Sequence, residues 1–445
     1  MYTVLLSGGS GKRLWPLSND LRSKQYIKIF ENEENGEEQV SMVQRVIGQL
    51  ERAGLKQNTL ICAGKSQVEI IHSQLGDIGI AVEPERRNTF PAVAISCAYA
   101  VSKLGASEDE VMAVLPVDPY TDDSYFATLS RLGDHLLASG ADIALMGAIP
   151  DAPSEKYGYI LPAEDRGEYF TVGAFREKPD LATAADLIAQ GAVFNCGVFC
   201  FKIGLICDIL RQMGVQPDYD YLYEHYELLP KISFDYQVLE KASNMIAVPF
   251  RGVWKDLGTW NALTEEMHYD HLGYVISDRC ENVRTINELD IPIITCGLKD
   301  VVVAAGADGI LVADRQQSEY LKASVEKLTL PPMYEERRWG TLKTVDRDDN
   351  HLTRHVKMFA GMVSSCHYHQ QRDEVWVFLK GSGEMIVGER KMTVGVGTSV
   401  SIPKGVNHMI KAITDLEFLE VHLGASESED IHRLSFDWDE ISKTI

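Results

Sequence analysis

The first 150 residues alternate short apolar runs with segments in which apolar residues recur at helical spacing. The apolar runs predict strands at 2–6, 59–63, 79–82, 111–115 and 143–146. The periodic segments between them predict helices at 42–50, 67–75, 91–104 and 125–137. This alternation predicts an α/β fold in which a mainly parallel sheet is covered by helices on both faces.

The pattern changes twice farther along the chain. Up to about residue 265, strands are predicted at 159–161, 170–175, 193–201 and 245–253, and helices at 180–189 and 235–241. From about residue 266 the sequence has short β-rich runs such as VVVAA and ILVAD, and after Pro331 and Pro332 it becomes alternating strands with glycine turns, typical of a small barrel. We therefore predict three domains, 1–265, 266–329 and 330–445.

Composition limits the classes of partner. A chain of 445 residues with 45% hydrophobic residues has no apolar stretch long enough to span a bilayer. Its formal net charge of −22 opposes binding to nucleic acid or to anionic membranes, so any phosphate recognition must be local. The eight cysteines form no CxxC pair and the N-terminus resembles no signal peptide, so we expect a cytoplasmic protein with reduced thiols.

A glycine-rich turn with three cations follows the first predicted strand. Residues 6–30 read LSGGSGKRLWPLSNDLRSKQYIKIF. Glycines allow backbone amides to approach phosphate oxygens closely, and nearby cations offset the phosphate charge. A Walker loop would need glycine at Leu6, and the dinucleotide fingerprint would need it at Leu14. The turn is either an ordinary connection or a phosphate loop of another class, whose candidate residues are Gly8, Gly9, Gly11, Lys12, Arg13 and Lys24.

Two aspartates follow strands in distant parts of the chain. Asp118 ends the run VMAVLPVD, and Asp256 lies in RGVWKDLGTW. Each alone is typical of a helix cap or turn. Together, at the carboxyl edge of one sheet, they would suit Mg²⁺, which takes oxygen ligands from one or two carboxylates and from substrate phosphates.

The glycine turn and the SKQ that follows it resemble the GGxGTRLWPLS and PKQ signature of sugar-nucleotide pyrophosphorylases, in particular the mannose-1-phosphate guanylyltransferases. Lys12 replaces the common Thr, Ser23 replaces the common Pro, and Pro119 stands where the family commonly has His after Asp118. The resemblance implies a Rossmann-like nucleotidyltransferase domain at 1–265 and a small connecting domain at 266–329.

Further motifs carry the same resemblance. EPERRNTFPA resembles the family's nucleotide-pocket segment EPxxRNTAPA and indicates Arg87 and Asn88, although Asn88 also suits a helix cap. FREKP, NCGVF and YGYI resemble sugar-side segments of the family. They indicate Lys178 as the ligand of the sugar phosphate, Glu177 as an acceptor from sugar hydroxyls, and Asn195, Gly197 and Gly158 as residues lining the sugar site.

The resemblance implies guanylyl transfer from GTP to mannose 1-phosphate, giving GDP-mannose, the precursor used in polysaccharide biosynthesis, and pyrophosphate. Asp118 and Asp256 would hold Mg²⁺, while Arg13 and Lys24 would stabilise the leaving pyrophosphate. The attacking phosphate is already an anion, so no protein base is needed. Two alternatives stay open: a transferase for another sugar 1-phosphate, and a silent sugar-nucleotide sensor, which would not need all four of these residues.

The C-terminal segment resembles the cupins. GMVSSCHYHQQRDEVWVFLKG fits their first motif, G(x)5HxH(x)4E(x)6G, and GTSVSIPKGVNH fits the second, G(x)5PxG(x)2H. The resemblance predicts a β-barrel with a metal held by His367, His369, Glu374 and His408. Zinc, iron, manganese and nickel all accept mixed imidazole and carboxylate ligands.

Cupin tails of this kind occur in bifunctional enzymes that also interconvert fructose 6-phosphate and mannose 6-phosphate. RRWG and RDEVW resemble that subfamily, whose usual string is QxHxxRxEHW, but His367 replaces its Gln and Val375 its His. We therefore predict a metal-dependent isomerase, with a different activity or none as the alternative, and a homo-oligomer, expected to be a dimer. The sequence does not identify the base that such a reaction requires.

Overall fold

The computed structural model describes residues 1–8, 12–32, 38–329, 331–424 and 430–443. Gly9 and Gly11 of the glycine turn lie outside these residues. Within the described ranges, no helix combines the length and the apolar character needed to cross a membrane.

The part of the chain before residue 330 contains nineteen strands among its described residues. In chain order they are β1 (Tyr2–Leu6), β2 (Lys28–Glu31), β3 (Gln39–Ser41), β4 (Thr59–Gly64), β5 (Gly79–Glu83), β6 (Val111–Pro116), β7 (Pro119–Thr121), β8 (Ile143–Ala148), β9 (Tyr159–Asp165), β10 (Phe170–Arg176), β11 (Val193–Lys202), β12 (Met245–Phe250), β13 (Trp254–Asp256), β14 (His271–Leu272), β15 (Val275–Asp278), β16 (Arg284–Asn287), β17 (Ile293–Cys296), β18 (Val301–Gly306) and β19 (Gly309–Asp314).

Helices alternate with these strands. They are α1 (Met42–Arg52), α2 (Val68–Leu75), α3 (Thr89–Leu104), α4 (Asp123–Ser139), α5 (Leu181–Ala189), α6 (Ile203–Gln212), α7 (Tyr219–Glu224), α8 (Phe234–Gln237), α9 (Trp260–Glu265) and α10 (Lys322–Val325). Short 3-10 turns occupy Lys12–Leu14, Lys24–Tyr26, Lys56–Asn58, Lys65–Gln67, Tyr226–Leu228, Leu239–Lys241 and Gln317–Tyr320.

A nine-stranded sheet in the order β5-β4-β1-β6-β11-β8-β12-β10-β9 forms the centre of this region. The pairs β4–β5, β1–β4, β1–β6 and β8–β12 are parallel, whereas β9, β10 and β11 pair antiparallel to their neighbours. Successive residues of β1 point to opposite faces, so that Val4 and Leu5 enter two different hydrophobic cores, each covered by helices. The predicted α/β fold is confirmed, and the sheet contains both parallel and antiparallel pairs.

Two predicted elements differ from the structure. The helix expected at 235–241 is a short α-helix, α8, followed by a 3-10 turn, because the backbone at Val238 (φ −118°, ψ −58°) departs from helical geometry. The strand expected at 245–253 ends at Phe250, and after Arg251 and Gly252 the chain starts the separate strand β13.

The following β-rich segment stacks short strands side by side. Strands β14, β16 and β18 pair in parallel, β19 closes this sheet in antiparallel pairing, and β15 and β17 form a second parallel pair. This segment contacts the loop that follows the glycine turn, since Arg22 donates to both carboxylate oxygens of Glu288 at 2.7 and 2.9 Å and Asn19 donates to Asp308 at 2.7 Å.

The C-terminal region is a two-sheet barrel. Its elements are β20 (Tyr334–Arg337), β21 (Gly340–Arg347), β22 (His351–Met358), β23 (Cys366–Tyr368), β24 (Arg372–Lys380), β25 (Ser382–Val387), β26 (Arg390–Gly395), β27 (Ser399–Ile402), β28 (His408–Ala412), β29 (Leu416–Gly424), β30 (His432–Ser435) and α11 (Trp438–Lys443). The sheets run β20-β21-β22-β29-β24-β27 and β26-β25-β28-β23-β30. Their facing side chains, among them Trp376, Phe378, Met385, Ile410 and Phe418, form one apolar core.

Candidate functional sites

The two aspartates singled out in the sequence meet at one lysine. The short antiparallel ladder of β7 and β13 sets Asp256 opposite Pro119, which directly follows Asp118. Lys24, in the 3-10 turn Lys24–Tyr26, places its Nζ 2.7 Å from Asp118 Oδ2 and 3.6 Å from Asp256 Oδ1. The fold thus brings two carboxylates from distant strands to a single cation.

Charge pairing dominates the electrostatics of this group. Burial acts to raise the pKa of Asp118, but the ammonium of Lys24 opposes it and lowers the pKa below its usual value. Burial likewise acts to lower the pKa of Lys24, and the two aspartates raise it instead. Arg13 lies beside the group, because a Cβ on Gly258 would come within 3.4 Å of Arg13 Nη1 and 3.1 Å of Asp256 Oδ1. The lowered pKa favours the ionised form of Asp118, which is available to a cation.

The sugar-side residues line the same cleft as the two aspartates. The cleft wall includes Asp118, Asp256, Gly158, Glu177, Lys178, Asn195 and Gly197. Lys178 Nζ lies 2.5 Å from Glu177 Oε1, and Asn195 Oδ1 accepts from the amide of Gly197 at 3.0 Å. Thus residues that are widely separated in the sequence share one concave surface.

Two glycines and one lysine of the cleft have backbone constraints. A Cβ at Gly158 would lie 2.6 Å from Glu177 Oε2, so a larger residue would force this carboxylate to move. Gly197 has a φ of +72°, and Lys178 has a φ of +43°, which is uncommon for a residue with a side chain. Such strain is concentrated at functional sites and directs Lys178 relative to Glu177.

The predicted nucleotide-side residues have other contacts. Asn88 caps α3 by accepting from the amide of Thr89 at 2.8 Å, and Arg87 donates to the carbonyl of Leu229 at 2.9 Å. Among the described residues, Thr89 lines the cleft whereas Arg87 and Asn88 are not in its wall. Lys12 starts the 3-10 turn Lys12–Leu14, and Gly8, at the end of the described part of the turn, is exposed. Their assignment to the nucleotide remains a prediction.

Sequence reasoning missed one acidic residue of the cleft, Asp235. Its Oδ1 accepts from Asn195 Nδ2 at 3.0 Å, and burial together with the nearby Glu177 raises its pKa to about 6. No motif marks Asp235, which lies in a short helix 40 residues after Asn195. The one sequence feature that pointed to Asp235 was its position at the predicted start of a helix, directly after Ser233 and Phe234.

The four predicted cupin ligands also converge. The side chains of His367, His369 and His408 are buried, and one ring nitrogen of each lies within 4.8 Å of the others. The pairing of strands explains part of this convergence, since His367 on β23 lies directly opposite His408 on β28. Glu374, from β24, places Oε1 3.0 Å from His369 Nε2 and Oε2 3.4 Å from His408 Nε2.

The hydrogen bonds of the three imidazoles suit a divalent metal. The Nδ1 atoms contact the carbonyls of Ser365 (2.8 Å), Val406 (3.0 Å) and Asp430, which holds a proton on each Nδ1 and leaves each Nε2 as the nitrogen that could bind a metal. Arg372 Nη2 lies 3.2 Å from Nε2 of His369. His408 Nε2 has no hydrogen-bond partner within the described ranges. Burial, with His408 nearby, lowers the pKa of His367 to about 3 and keeps that ring neutral. The donor set fits a metal ion.

A second polar group adjoins the first. Glu420 and His422, both on β29, lie 2.6 Å apart, and His422 Nε2 is 3.4 Å from Glu374 Oε1. Sequence reasoning missed this pair, although the spacing of two in the strand sequence EVH places both side chains on one face.

The cavity beside these groups is rich in arginine. His367 and Glu420 line its inner wall, and four guanidinium groups face it, those of Arg337, Arg354, Arg372 and Arg433. Arg433 pairs with His367 in the β23–β30 register, and Arg354 pairs with Glu420 in the β22–β29 register. Acidic groups on the same wall or in contact with it are Glu69, Glu335, Glu374 and Glu420. The cavity therefore offers cations next to the cluster of imidazoles and carboxylates.

Comparison with known proteins identifies the family. Residues 2–271, more than half of the chain, match the family described as Nucleotidyl transferase. The chain belongs to the nucleotidyl transferase family. Residues 354–422 of this transferase match the cupin domain.

Relatives of the transferase share its whole length. It is 29% identical to the mannose-1-phosphate guanylyltransferase ManC of Salmonella typhimurium, over 97% of this chain and 96% of that one. It is also 29% identical to the xanthan biosynthesis protein XanB of Xanthomonas campestris, over 96% of each chain. A crystal structure from Thermus thermophilus, described as a mannose-1-phosphate geranyltransferase, matches 74% of this chain and 99% of its own with a TM-score of 0.61 and 28% identity.

Proposed function

We propose that this transferase moves a guanylyl group from GTP to mannose 1-phosphate, giving GDP-mannose and pyrophosphate. The observation that carries the proposal is the convergence of Asp118 and Asp256 on Lys24, in a cleft that Glu177 and Lys178 also line. The names of its full-length relatives supply the choice of base and sugar. We further propose domains at 1–265, 266–329 and 330–445, consistent with the extents of the two family matches.

The reaction needs alignment and charge neutralisation more than proton transfer. A phosphate oxygen of mannose 1-phosphate bonds to the α-phosphorus of GTP, and the bond from that phosphorus to pyrophosphate breaks. Lys24 and Arg13 offset the charge that collects on the leaving group, Lys178 holds the attacking phosphate, and Glu177 accepts from a sugar hydroxyl.

The residues present fit magnesium. A cation, the Lys24 ammonium, already bridges the carboxylates of Asp118 and Asp256, and carboxylate oxygens are the ligands that Mg²⁺ prefers. Asp118 and Asp256 would hold the ion, which when bound supplies positive charge to the phosphates.

A coupled pyrophosphate-release assay tests the proposal. We expect turnover with GTP and mannose 1-phosphate and slow turnover with ATP, CTP or UTP and with glucose 1-phosphate. Preference for another pair would favour a transferase for a different sugar 1-phosphate. Absence of turnover with every pair, together with nucleotide-sugar binding, would favour a sensor.

We propose as a second function that the cupin domain is a metal-dependent isomerase of mannose 6-phosphate and fructose 6-phosphate. The supporting observation is a cluster of three buried imidazoles and Glu374 beside an arginine-lined cavity. His367, His369, Glu374 and His408 would hold zinc, iron, manganese or nickel, and the bound ion would polarise the substrate oxygens. The arginines, Arg354 and Arg433 among them, would bind the phosphate.

Metal analysis and an isomerase assay of the full chain test this second function. We expect about one transition-metal ion per chain and conversion of fructose 6-phosphate to mannose 6-phosphate that stops on chelation. A metal-loaded protein without isomerisation would leave the cupin with another activity or with none.

A further inference from the structure

The 3-10 turn that carries Lys24 is bonded to the C-terminal region through one glutamine. Gln74, the penultimate residue of α2, donates from Nε2 to the carbonyl of Tyr26 at 2.9 Å and to Glu336 Oε2 at 2.7 Å. Its Oε1 accepts from Ser41 Oγ at 2.6 Å. The side-chain amide is thus fully bonded, and it joins the turn Lys24–Tyr26 to the strand β20.

All parts of this bridge are buried. Tyr26 is 0% exposed, and Gln74 and Glu336 are each 9% exposed. Lys28 Nζ lies 3.5 Å from Glu336 Oε1, and Arg22 is a second cation near this carboxylate. A buried carbonyl or carboxylate that loses a donor keeps part of the cost of desolvation, so removal of Gln74 leaves the Tyr26 carbonyl and Glu336 Oε2 each without this donor.

The turn has little freedom to absorb such a loss. Only Gln25 separates Lys24 from Tyr26, whose hydroxyl hydrogen-bonds to Ser7 Oγ at 2.6 Å, while Gln25 donates to the carbonyl of Ser7 at 2.6 Å. Ser7 itself begins the glycine turn after β1. A shift of the Tyr26 carbonyl is therefore passed on to the Lys24 ammonium and its contacts with Asp118 and Asp256.

We propose that Gln74 and Glu336 are positioning residues for nucleotidyl transfer. Through them, strand β20 of the C-terminal region holds the catalytic Lys24 of the first domain in position. The inference rests on the proposed role of Lys24. It implies that the cupin region stabilises the transferase site through a defined pair of hydrogen bonds, in addition to whatever reaction it carries out itself.

Four variants of the full chain test the proposal. Gln74→Leu and Glu336→Leu each remove the bridge, whereas Glu336→Gln retains an oxygen that accepts from Gln74. Asp77→Ala is the matched control, since it breaks another contact between the two regions, the exposed ion pair of Asp77 with Arg338 at 3.4 Å, which does not reach the turn.

We expect both leucine variants to lower kcat for pyrophosphate release by about 10- to 100-fold, because small misplacements of a catalytic group have effects of this size. KM for the sugar phosphate should change less than kcat, since Lys178 and Glu177 are not moved. Glu336→Gln should stay within about threefold of the parent, and Asp77→Ala should equal it.

Hydrogen exchange gives a readout that does not need activity. Peptides covering residues 23–27 should exchange faster in the leucine variants, while peptides from α3 should keep their rates. Leucine variants with parental kcat and parental exchange in 23–27 would overturn the proposal, as would equal losses in Glu336→Gln and Glu336→Leu. If the parent releases no pyrophosphate, the proposed function fails, and exchange in 23–27 still decides the positional link.

Discussion

Asp256 lies opposite Pro119 in the two-stranded ladder of β7 and β13, one residue beyond Asp118. Backbone pairing therefore fixes the separation of the two Cα atoms and brings both carboxylates within reach of one cation. The proposed magnesium site depends on this ladder, because it joins segments that are far apart in the chain.

Neutralising either aspartate should abolish transfer. We expect Asp118→Asn and Asp256→Asn each to reduce pyrophosphate release by at least about 100-fold, since an amide loses the charge that holds the divalent ion near the phosphates. Asp109→Asn, an exposed aspartate outside the cleft, is the control. Undiminished turnover after both residues are changed to alanine would exclude the proposed mechanism.

Lys178 should determine sugar-phosphate affinity. We expect Lys178→Gln to raise KM for mannose 1-phosphate by about 10-fold or more, with a smaller effect on KM for GTP, because a charge-assisted bond to the sugar phosphate is lost. Lys202→Gln, which removes an exposed ion pair with Asp109, should change neither constant. Equal increases in both KM values would place Lys178 on the nucleotide.

Asp235 should make stability depend on pH. Its pKa in the folded chain is raised to about 6, so folding favours the protonated form, and its contribution to stability is lost as pH rises through about 6. The substitution Asp235→Asn removes this loss of stability at high pH, because the amide does not ionise. We expect the variant to gain about 1–3 kcal/mol over the parent at pH 8 and nothing at pH 4, after allowance for partial exposure.

Thermal or urea unfolding of the parent and of Asp235→Asn across pH 4 to 8 checks the sign of this stability difference. Only the difference between the two proteins is informative, since other groups titrate in both. A variant that loses stability at pH 8 would show that the ionised carboxylate is favoured by its neighbours, Lys178 and Asn195, over the effects of burial and Glu177.

Much of this arrangement could be predicted from short motifs, because each motif fixes chemistry within a few residues of one strand end. The cleft residues Glu177, Lys178 and Asn195 belong to such motifs, as do the histidines of HYH. Gln74, Asp235 and Arg433 do not, since their roles arise from pairings over long sequence separations. Periodicity also predicted a continuous helix at 235–241, which the backbone at Val238 interrupts.

Removal of one cupin ligand should release the metal. We expect His408→Ala to weaken transition-metal binding by at least about 100-fold, because the loss of a direct ligand should exceed the 10- to 100-fold effects of residues behind the ligands. His351→Ala, whose ring pairs with Asp346 and Asp348 at the surface, is the control. Metal content and the melting temperature before and after chelation measure the effect, since a metal bound to the folded state alone stabilises it.

Arg433 should recognise the charged end of the cupin ligand. Its guanidinium lines the cavity beside His367 without a hydrogen bond or close ion pair among the described residues. Partial burial and repulsion from Arg337 lower its pKa, and they outweigh the opposing effects of Glu69 and Glu335. An anion is the ligand that relieves this repulsion.

We expect Arg433→Leu to weaken binding of fructose 6-phosphate by about 10-fold or more and to leave binding of fructose unchanged, as measured by calorimetry on the metal-loaded protein. Arg390→Leu, on the outer strand β26, is the matched control. Equal weakening by the two variants would mean that the effect is general surface charge, and parental affinity in Arg433→Leu would assign the phosphate to the other arginines of the cavity.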